Sequence, residues 1–99
     1  MHPTEICWTW DRLKASTNLR KHRVSFELAA LALEDPNQIS QLDSESYEYR
    51  FKTLASVGGI TLLIVHTEPE VENYSGQLIG RIISARKAKP AESKAYSHD

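Results

Sequence analysis

Hydrophobic and polar positions alternate in several stretches of the chain, and this alternation predicts β-strands. Segment 6–10 places an isoleucine and two tryptophans on one face. Segment 47–55 alternates aromatic or small residues with charged ones, as expected for a strand with one packed and one open face. Segment 60–66 is apolar at nearly every position and predicts the central strand, while 78–86 predicts the last. Gly58-Gly59 between the middle two predicts a hairpin turn.

The segment after the first strand predicts a helix over residues 12–22. Asp11 is suited to be its N-cap, because a short carboxylate can accept from the free amides of the first turn. Ala15, Leu19 and His22 form its one apolar stripe. We expect this helix to be stable only when it packs against the sheet.

A second helix is predicted to begin at the N-cap Ser25 and to stop before Pro36, since a residue preceding proline is pushed out of helical geometry. Segments 37–45 and 68–76 are polar and acidic, and we interpret them as a connector and a loop. Pro90 suits the first turn of a short closing helix. The order predicts an α+β domain: a small antiparallel sheet, two N-terminal helices packed on one face and a short C-terminal helix.

Length and composition limit the class of protein. The chain of 99 residues predicts a single domain spanning residues 1–99. Its longest apolar run, 60–65, is far shorter than the ~20 residues of a membrane-spanning helix. It has one cysteine, Cys7, and no secretory signal at its start, so we expect a cytoplasmic protein without a membrane segment.

Charge is nearly balanced overall, at −1, but it is unevenly distributed. Segments 11–23 and 81–94 each hold five cations and one anion, whereas 34–50 holds five anions and one cation. If the two basic blocks meet in space, they form a positive face that suits a polyanion. If they do not meet, the pattern is only alternating solvated surface.

The residue types favour one chemistry over the others. The four histidines lack the spacing of a zinc site, and no glycine-rich phosphate loop is present, so we expect no metal and no cofactor. A set of cations remains that suits metal-free RNA cleavage, in which the 2′-hydroxyl attacks the adjacent phosphate and the protein supplies a base and positive charge. The set is Lys21, His22, Arg50, Arg81 and Arg86.

Each member of this set also has a plain structural interpretation. His22 lies near a helix C-terminus, where its charge would favour the helix dipole. Arg50 could pair with Glu48 or with the acidic connector. Arg81 and Arg86 are five positions apart and point to opposite faces of an uninterrupted strand, so they share a site only if the strand ends or bulges near Ala85.

The chain resembles the BrnT family of type II toxin–antitoxin ribonucleases, and the matching pieces follow the family's order over nearly the whole chain. The two most specific pieces are Lys21-His22 followed by Val24-Ser25-Phe26-Glu27, and Arg81-Ile82-Ile83-Ser84-Ala85-Arg86. Weaker matches are Trp10-Asp11, Lys14, Asn18, Ala29, Asp35-Pro36, Glu48, Arg50, Thr67-Glu68, Ala88, Glu92 and Tyr96. The loop from Pro69 to Gln77 departs from the family by being longer and more acidic than its usual short hairpin.

The resemblance implies a RelE-like fold and an endoribonuclease toxin that causes growth arrest. It implies a BrnA-like ribbon-helix-helix antitoxin as partner, RNA as substrate, contact with operator DNA only through the antitoxin, and assemblies such as a homodimer or a two-to-two complex. By position it implies His22, Arg50, Arg81 and Arg86 as catalytic residues, Lys21, Lys52 and Lys87 as RNA-binding residues, and Glu48 as an orienting residue.

Two other hypotheses remain alongside an active nuclease. The chain could be a catalytically weak relative that holds an antitoxin and acts as co-repressor of its own operon. It could also be a small interaction domain unrelated to RNA.

Overall fold

The computed structural model describes residues 5–97. The elements in chain order are β1 (Ile6–Thr9), α1 (Arg12–His22), α2 (Phe26–Ala32), β2 (Ile39–Leu42), β3 (Arg50–Val57), β4 (Ile60–Thr67), β5 (Glu70–Val71), β6 (Leu78–Lys87) and α3 (Pro90–Ser97).

The strands form one mixed sheet in the order β1-β6-β4-β3-β2, with the short β5 paired to β6. The α+β class predicted from the sequence is confirmed, and β4 is the central strand. The prediction of an entirely antiparallel sheet is wrong, because β1 runs parallel to β6. Side-chain alternation has the same period in both orientations, so the sequence pattern carries no information about strand direction.

Two strands lie in segments that we interpreted as connector and loop. β2 falls within 37–45 and pairs antiparallel with β3, and β5 falls within 68–76. The apolar residues of the four-residue edge strand β2, Ile39 and Leu42, are three positions apart, and β5 has only two residues. Neither strand therefore shows the alternation by which strands are recognised. In addition, β3 begins at Arg50 rather than at Tyr47, and Tyr47 and Tyr49 are exposed.

The core lies between α2 and one face of the sheet, here called the core face. Its fully buried side chains include Phe26 and Ala29 of α2, together with residues from three neighbouring strands: Ala55, Leu62, Ile64, Ile82 and Ala85. Ser25 caps α2 as predicted, accepting from the Leu28 amide at 3.0 Å. Gly58 and Gly59 turn β3 into β4 with positive φ angles of 57° and 81°, as a two-residue hairpin requires.

Helix α1 meets the sheet through a residue that the apolar-stripe interpretation overlooked. Asp11 caps the helix as predicted, accepting from the Lys14 amide at 3.0 Å. Leu19, however, is 48% exposed, whereas Asn18 is buried at 7%. The Asn18 side-chain amide donates to the Ala85 carbonyl at 2.8 Å and accepts from the Ala85 amide at 3.1 Å, which pairs the free edge of β6 as a neighbouring strand would.

Helix α3 lies against the other face of the sheet, here called the open face, where it borders Leu54 and Leu63. Asp35 fixes this arrangement by accepting from the Ser56 amide at 2.8 Å and from the Tyr96 hydroxyl. The Tyr96 bond is the main reason that the pKa of Asp35 is lowered. The open face carries the cations Arg50, Lys52, Arg81 and Arg86.

In the part of the chain that the structure describes, no helix is long and apolar enough to span a bilayer.

Candidate active site

A bulge in β6 decides where the two arginines of the last strand point. The pairing of β4 with β6 shifts by one residue between Val65 and His66, so that Ile83 is an extra residue on β6. In a regular strand, residues five positions apart point to opposite faces. The extra residue at the bulge shifts the strand by one position, so Arg81 and Arg86 point to the same face. Arg86 pairs with Leu63 and Arg81 adjoins Thr67, both on the open face, so the two arginines share that face.

Arg50 and Arg81 lie on either side of β4 at Thr67. Arg50 pairs with Thr67 across β3 and β4, and the Arg81 amide donates to the Thr67 hydroxyl at 2.9 Å. Glu48 bridges the two guanidinium groups, with its carboxylate 2.7 Å from Arg81 Nη2 and 3.8 Å from Arg50 Nη1. A planar guanidinium suits a phosphate as well as a carboxylate, so Glu48 marks where an anion would bind between them.

A second carboxylate, Asp43, pairs with the two cations of β3, Arg50 and Lys52. It lies 3.3 Å from Arg50 Nε and 3.9 Å from Lys52 Nζ, and its side chain is only 8% exposed. The sequence-based search did not single out Asp43, because it lies in the acidic segment that we interpreted as a connector. Asp43 therefore pairs with both Arg50 and Lys52 from a nearly buried position.

Arg86 is held by α3. Its Nη1 and Nη2 donate to the two carboxylate oxygens of Glu92 at 2.8 and 2.9 Å. Glu92 also accepts from the Lys89 amide at 2.7 Å, as the acidic member of a helix capping box does. The Arg86 bond is the main cause that lowers the pKa of Glu92 to about 2. Arg86 therefore anchors α3 to the open face.

His22 and Lys21 line a separate groove beside the bulge. This groove, of about 320 Å³, lies between α1 and residues Ile83 and Ser84 of β6. Ser84 pairs with Val65 and so belongs to the open face, between the positions of Arg81 and Arg86. His22 therefore adjoins the open face at Ser84, with no contact to either arginine among the hydrogen bonds and ion pairs of residues 5–97.

Lys87 stands apart from the other predicted residues. It pairs with Leu62 of the core face and follows Arg86 directly, so alternation directs it away from the open face. The predicted set thus divides into an Arg50–Glu48–Arg81 cluster with Lys52 beside it, an Arg86 anchored to α3, a His22–Lys21 groove, and Lys87 on the opposite side.

The buried histidine is His66, which the sequence-based search set aside. Its Nδ1 lies 2.8 Å from the Thr67 carbonyl and its Nε2 lies 2.6 Å from the Thr53 hydroxyl, so a neutral ring donates at Nδ1 and accepts at Nε2. Trp8 packs edge-on at 5.0 Å, and burial lowers the pKa of His66. This histidine belongs to the core and not to the site.

A cleft of about 460 Å³ borders Arg81 on the side away from the bulge. Glu68, Glu70 and Glu72 line it together with Thr67 and Arg81, so carboxylates surround this end of the site. Among residues 5–97, no group of three or more histidine, cysteine, aspartate or glutamate side chains is arranged to hold a metal ion.

Comparison with known proteins gives one family. The family model described as "Ribonuclease toxin, BrnT, of type II toxin-antitoxin system" matches residues 10–92. A search of curated proteins finds no match to the chain.

Proposed function

The chain belongs to the BrnT family, the ribonuclease toxins of type II toxin–antitoxin systems, and from this premise we propose that it is a metal-independent endoribonuclease acting on cytoplasmic RNA. The observation that carries the proposal is the pair of Arg50 and Arg81 on the open face, which share the Glu48 carboxylate. A scissile phosphate in the place of Glu48 would receive charge from both guanidinium groups.

The proposed reaction needs no nucleophile from the protein. The RNA 2′-hydroxyl attacks the adjacent phosphorus, the bond to the 5′-oxygen breaks, and a 2′,3′-cyclic phosphate and a free 5′-hydroxyl result. Arg50 and Arg81 stabilise the charge of the pentacoordinate phosphorane. His22, beside Ser84, takes the proton of the 2′-hydroxyl as general base. The departing 5′-oxygen takes a proton from solvent water, and His22 returns its proton to solvent after cleavage.

The remaining predicted residues receive supporting roles in this proposal. Lys21 and Lys52 contact the RNA backbone next to the cleaved linkage, and Glu48 orients the two arginines. Arg86 acts by keeping α3 docked on the open face, and Lys87 binds backbone beyond the strand end. The whole chain, residues 1–99, acts as one domain with a RelE-like arrangement of its helices and sheet.

As the partner we propose a BrnA-like ribbon-helix-helix antitoxin, which neutralises the toxin and carries the complex to operator DNA. The support is the type II family assignment, since toxins of this type are neutralised by a protein. Co-expression with the product of the adjacent reading frame should yield a stable complex that no longer cleaves RNA. A chain whose neighbouring frame encodes no such protein would contradict this part of the proposal.

The decisive experiment measures cleavage of a single-stranded RNA by the purified protein, with and without EDTA. Arg81→Ala should lower the rate by about 100-fold or more, because one charge that stabilises the transition state is lost. His22→Ala should lower it as well, whereas Lys94→Gln, which removes an exposed cation of α3, should not. The melting temperature of Arg81→Ala should change little, because its side chain is 39% exposed.

Equal rates in the wild type, Arg81→Ala and His22→Ala would remove the proposed site. Loss of wild-type cleavage in EDTA, restored by a divalent cation, would contradict metal independence. Both experiments use the purified toxin alone, so their results do not depend on the antitoxin.

One observation favours a second candidate function, that of a catalytically weak antitoxin-binding co-repressor. Each cation of the open face is already paired with a carboxylate: Arg50 and Lys52 with Asp43, Arg81 with Glu48, and Arg86 with Glu92. The cleft beside Arg81 is acidic as well. If the wild-type protein binds the antitoxin and strengthens its hold on operator DNA but cleaves no RNA, this candidate replaces the nuclease.

A further inference from the structure

The cations of α1 differ from those of the open face in having no carboxylate partner. Within residues 5–97, no carboxylate lies within 4.0 Å of the side-chain nitrogens of Lys14, Lys21 or Arg23, whereas the open-face cations are all paired. Lys14, Lys21 and Arg23 are all exposed. A polyanion approaching the protein therefore meets unneutralised charge on α1 before it can displace the carboxylates of the open face.

Lys14 and Lys21 stand on the flank of α1 that faces the proposed site. They are seven residues apart, which is nearly two helical turns, so they lie on the same side of the helix. Both line the groove that also contains His22 and Ser84. Because Ser84 lies on the open face, this groove leads from α1 directly to the region between Arg81 and Arg86.

Arg23 provides an independent observation. It forms the C-cap of α1 in the left-handed conformation, at φ 60° and ψ 28°, and its amide donates to the Leu19 carbonyl at 2.9 Å. It is the one residue other than glycine with positive φ in the described part of the chain. Glycine takes this position without strain, whereas a side chain is disfavoured there. The chain thus places an exposed cation next to His22 where the backbone favours glycine.

We propose that Lys14, Lys21 and Arg23, which we call the α1 cationic surface, bind the phosphates of the RNA strand that flank the cleaved linkage. This inference rests on the proposed nuclease function and extends it to a residue set beyond the chemical centre. The surface supplies affinity for the backbone without reading sequence. An RNA strand crossing the open face would enter or leave along the groove at Ser84.

RNA fits this surface better than an acidic protein segment does. The groove places the hydroxyl groups of Thr17 and Ser84 beside the two lysines and His22, with Leu13 and Ile83 as its apolar lining. It is continuous with the site where the RNA is proposed to be cleaved. Ribose hydroxyls and phosphate oxygens can both use such hydroxyl groups. A partner segment bound here would instead block the groove and would make these cations irrelevant to RNA affinity.

The test measures binding of an RNA that cannot be cleaved because its 2′-hydroxyls are replaced by 2′-O-methyl groups. Fluorescence anisotropy over a range of salt concentrations gives the affinity and its salt dependence for the full chain. Lys14→Gln should weaken binding severalfold and reduce the slope of log affinity against log salt by about 0.7, the value for one phosphate contact on a single strand. Lys94→Gln removes the same charge from α3 and should change neither quantity.

Arg23→Gly gives the sharper signature, because its two expected effects have opposite signs. RNA binding should weaken as for Lys14→Gln, while the melting temperature should rise by a few degrees since the left-handed strain is relieved. Arg23→Lys should keep most of the affinity and show no such rise. A loss of affinity in Arg23→Gly therefore cannot be attributed to unfolding.

The outcomes separate this inference from the function on which it rests. If wild type cleaves RNA but Lys14→Gln and Arg23→Gly bind the uncleavable RNA with the wild-type affinity and slope, the α1 cationic surface is wrong and the nuclease stands. If wild type neither binds nor cleaves RNA, both proposals are overturned. If Lys94→Gln weakens binding as much as the α1 variants do, the effect is one of overall charge and the inference also fails.

Discussion

Asn18 and Asp35 are two of the polar residues by which the chain resembles its family, and both form hydrogen bonds to other parts of the fold. The Asn18 amide joins α1 to the backbone of Ala85, 67 residues away, and Asp35 joins the end of α2 to Tyr96, 61 residues away. Buried or half-buried polar groups of this kind are costly to leave without their partners. The residues of a sequence motif can therefore have either a catalytic or a structural role, and residue type alone does not distinguish the two.

His66 leads to a prediction about pH. Below pH 6.5, the ordinary pKa of histidine, the unfolded chain binds a proton at this ring, whereas burial lowers the pKa of the folded form and keeps the ring neutral. The contribution of neutral His66 to stability is thus complete above pH 6.5 and is lost as pH falls toward the folded pKa. The free energy of unfolding should drop by at most about 1.4 kcal/mol per pH unit in this window.

The measurement compares urea unfolding of wild type and His66→Gln between pH 7.5 and pH 5. Glutamine cannot titrate, so the difference in stability between the two proteins should shrink as the pH falls. A difference that stays constant over this range would show that the His66 ring titrates alike in both states.

Glu48 leads to a prediction about binding and turnover. Glu48→Gln removes the carboxylate shared by Arg50 and Arg81, so the affinity for uncleavable RNA should rise severalfold. Stability should change by less than about 1 kcal/mol, because the Glu48 side chain is 51% exposed and such pairs contribute little. The cleavage rate at saturating RNA should fall, since the two guanidinium groups lose the group that orients them.

Glu45→Gln is the matched control in the same segment. Among residues 5–97 the Glu45 carboxylate has no hydrogen bond or ion pair, and its backbone amide donates to the Asp43 carboxylate. Tighter binding in both variants would indicate a general charge effect. Unchanged binding in Glu48→Gln would show that Arg50 and Arg81 are not the anion-binding pair.

Among the elements, β6 carries Arg81 of the proposed site and depends on two local features. On one side, Gly80 lets β1 approach: a Cβ built at Gly80 would lie 2.4 Å from Cζ3 of Trp8. On the other side, the bulge at Ile83 turns Arg81 toward the open face. Neither feature can be recognised from the pattern of β6 itself, since both arise from the strands beside it.

Gly80→Ala should therefore destabilise the protein by about 1–3 kcal/mol, as overpacking does in a filled site. The Trp8 ring cannot move freely because it packs edge-on against His66. Thermal or urea unfolding provides the measurement, and Cys7→Ala on the exposed side of β1 is the control, which should remain within about 0.5 kcal/mol of wild type. A Gly80→Ala protein of wild-type stability would mean that β1 docks less closely than described.

For the whole molecule, the features that were predicted from the sequence are those that depend on residues close together in the chain. The cap residues Asp11 and Ser25, the central strand, the hairpin turn and the closing helix were predicted and are confirmed. The parallel pairing of β1, the strands β2 and β5 and the buried role of Asn18 were not, because each depends on a partner distant in the chain. The pairing of Arg81 with Glu48 was missed for the same reason, whereas a pairing of Arg50 with Glu48 or with the acidic connector was one of the two interpretations of Arg50.

Cooperative unfolding is the prediction at this scale. Trp8 packs against His66 of β4 and Trp10 packs against Phe26 of α2, at 5.0 and 5.9 Å between ring centres, so the tryptophans report on contacts with both layers. Tryptophan fluorescence and far-ultraviolet circular dichroism should therefore show one coincident transition in urea. Separate midpoints for the two signals would indicate that the chain is not a single folding unit.

The bulge at Ile83 has a consequence for anyone who would transplant this motif. The hexapeptide from Arg81 to Arg86 encodes two guanidinium groups on the same side only in the company of a partner strand whose register steps between Val65 and His66. Grafted onto a regular strand, it would send one arginine to each side of the host sheet. A designer would have to reproduce the register shift with the partner strand as well as the sequence of the hexapeptide.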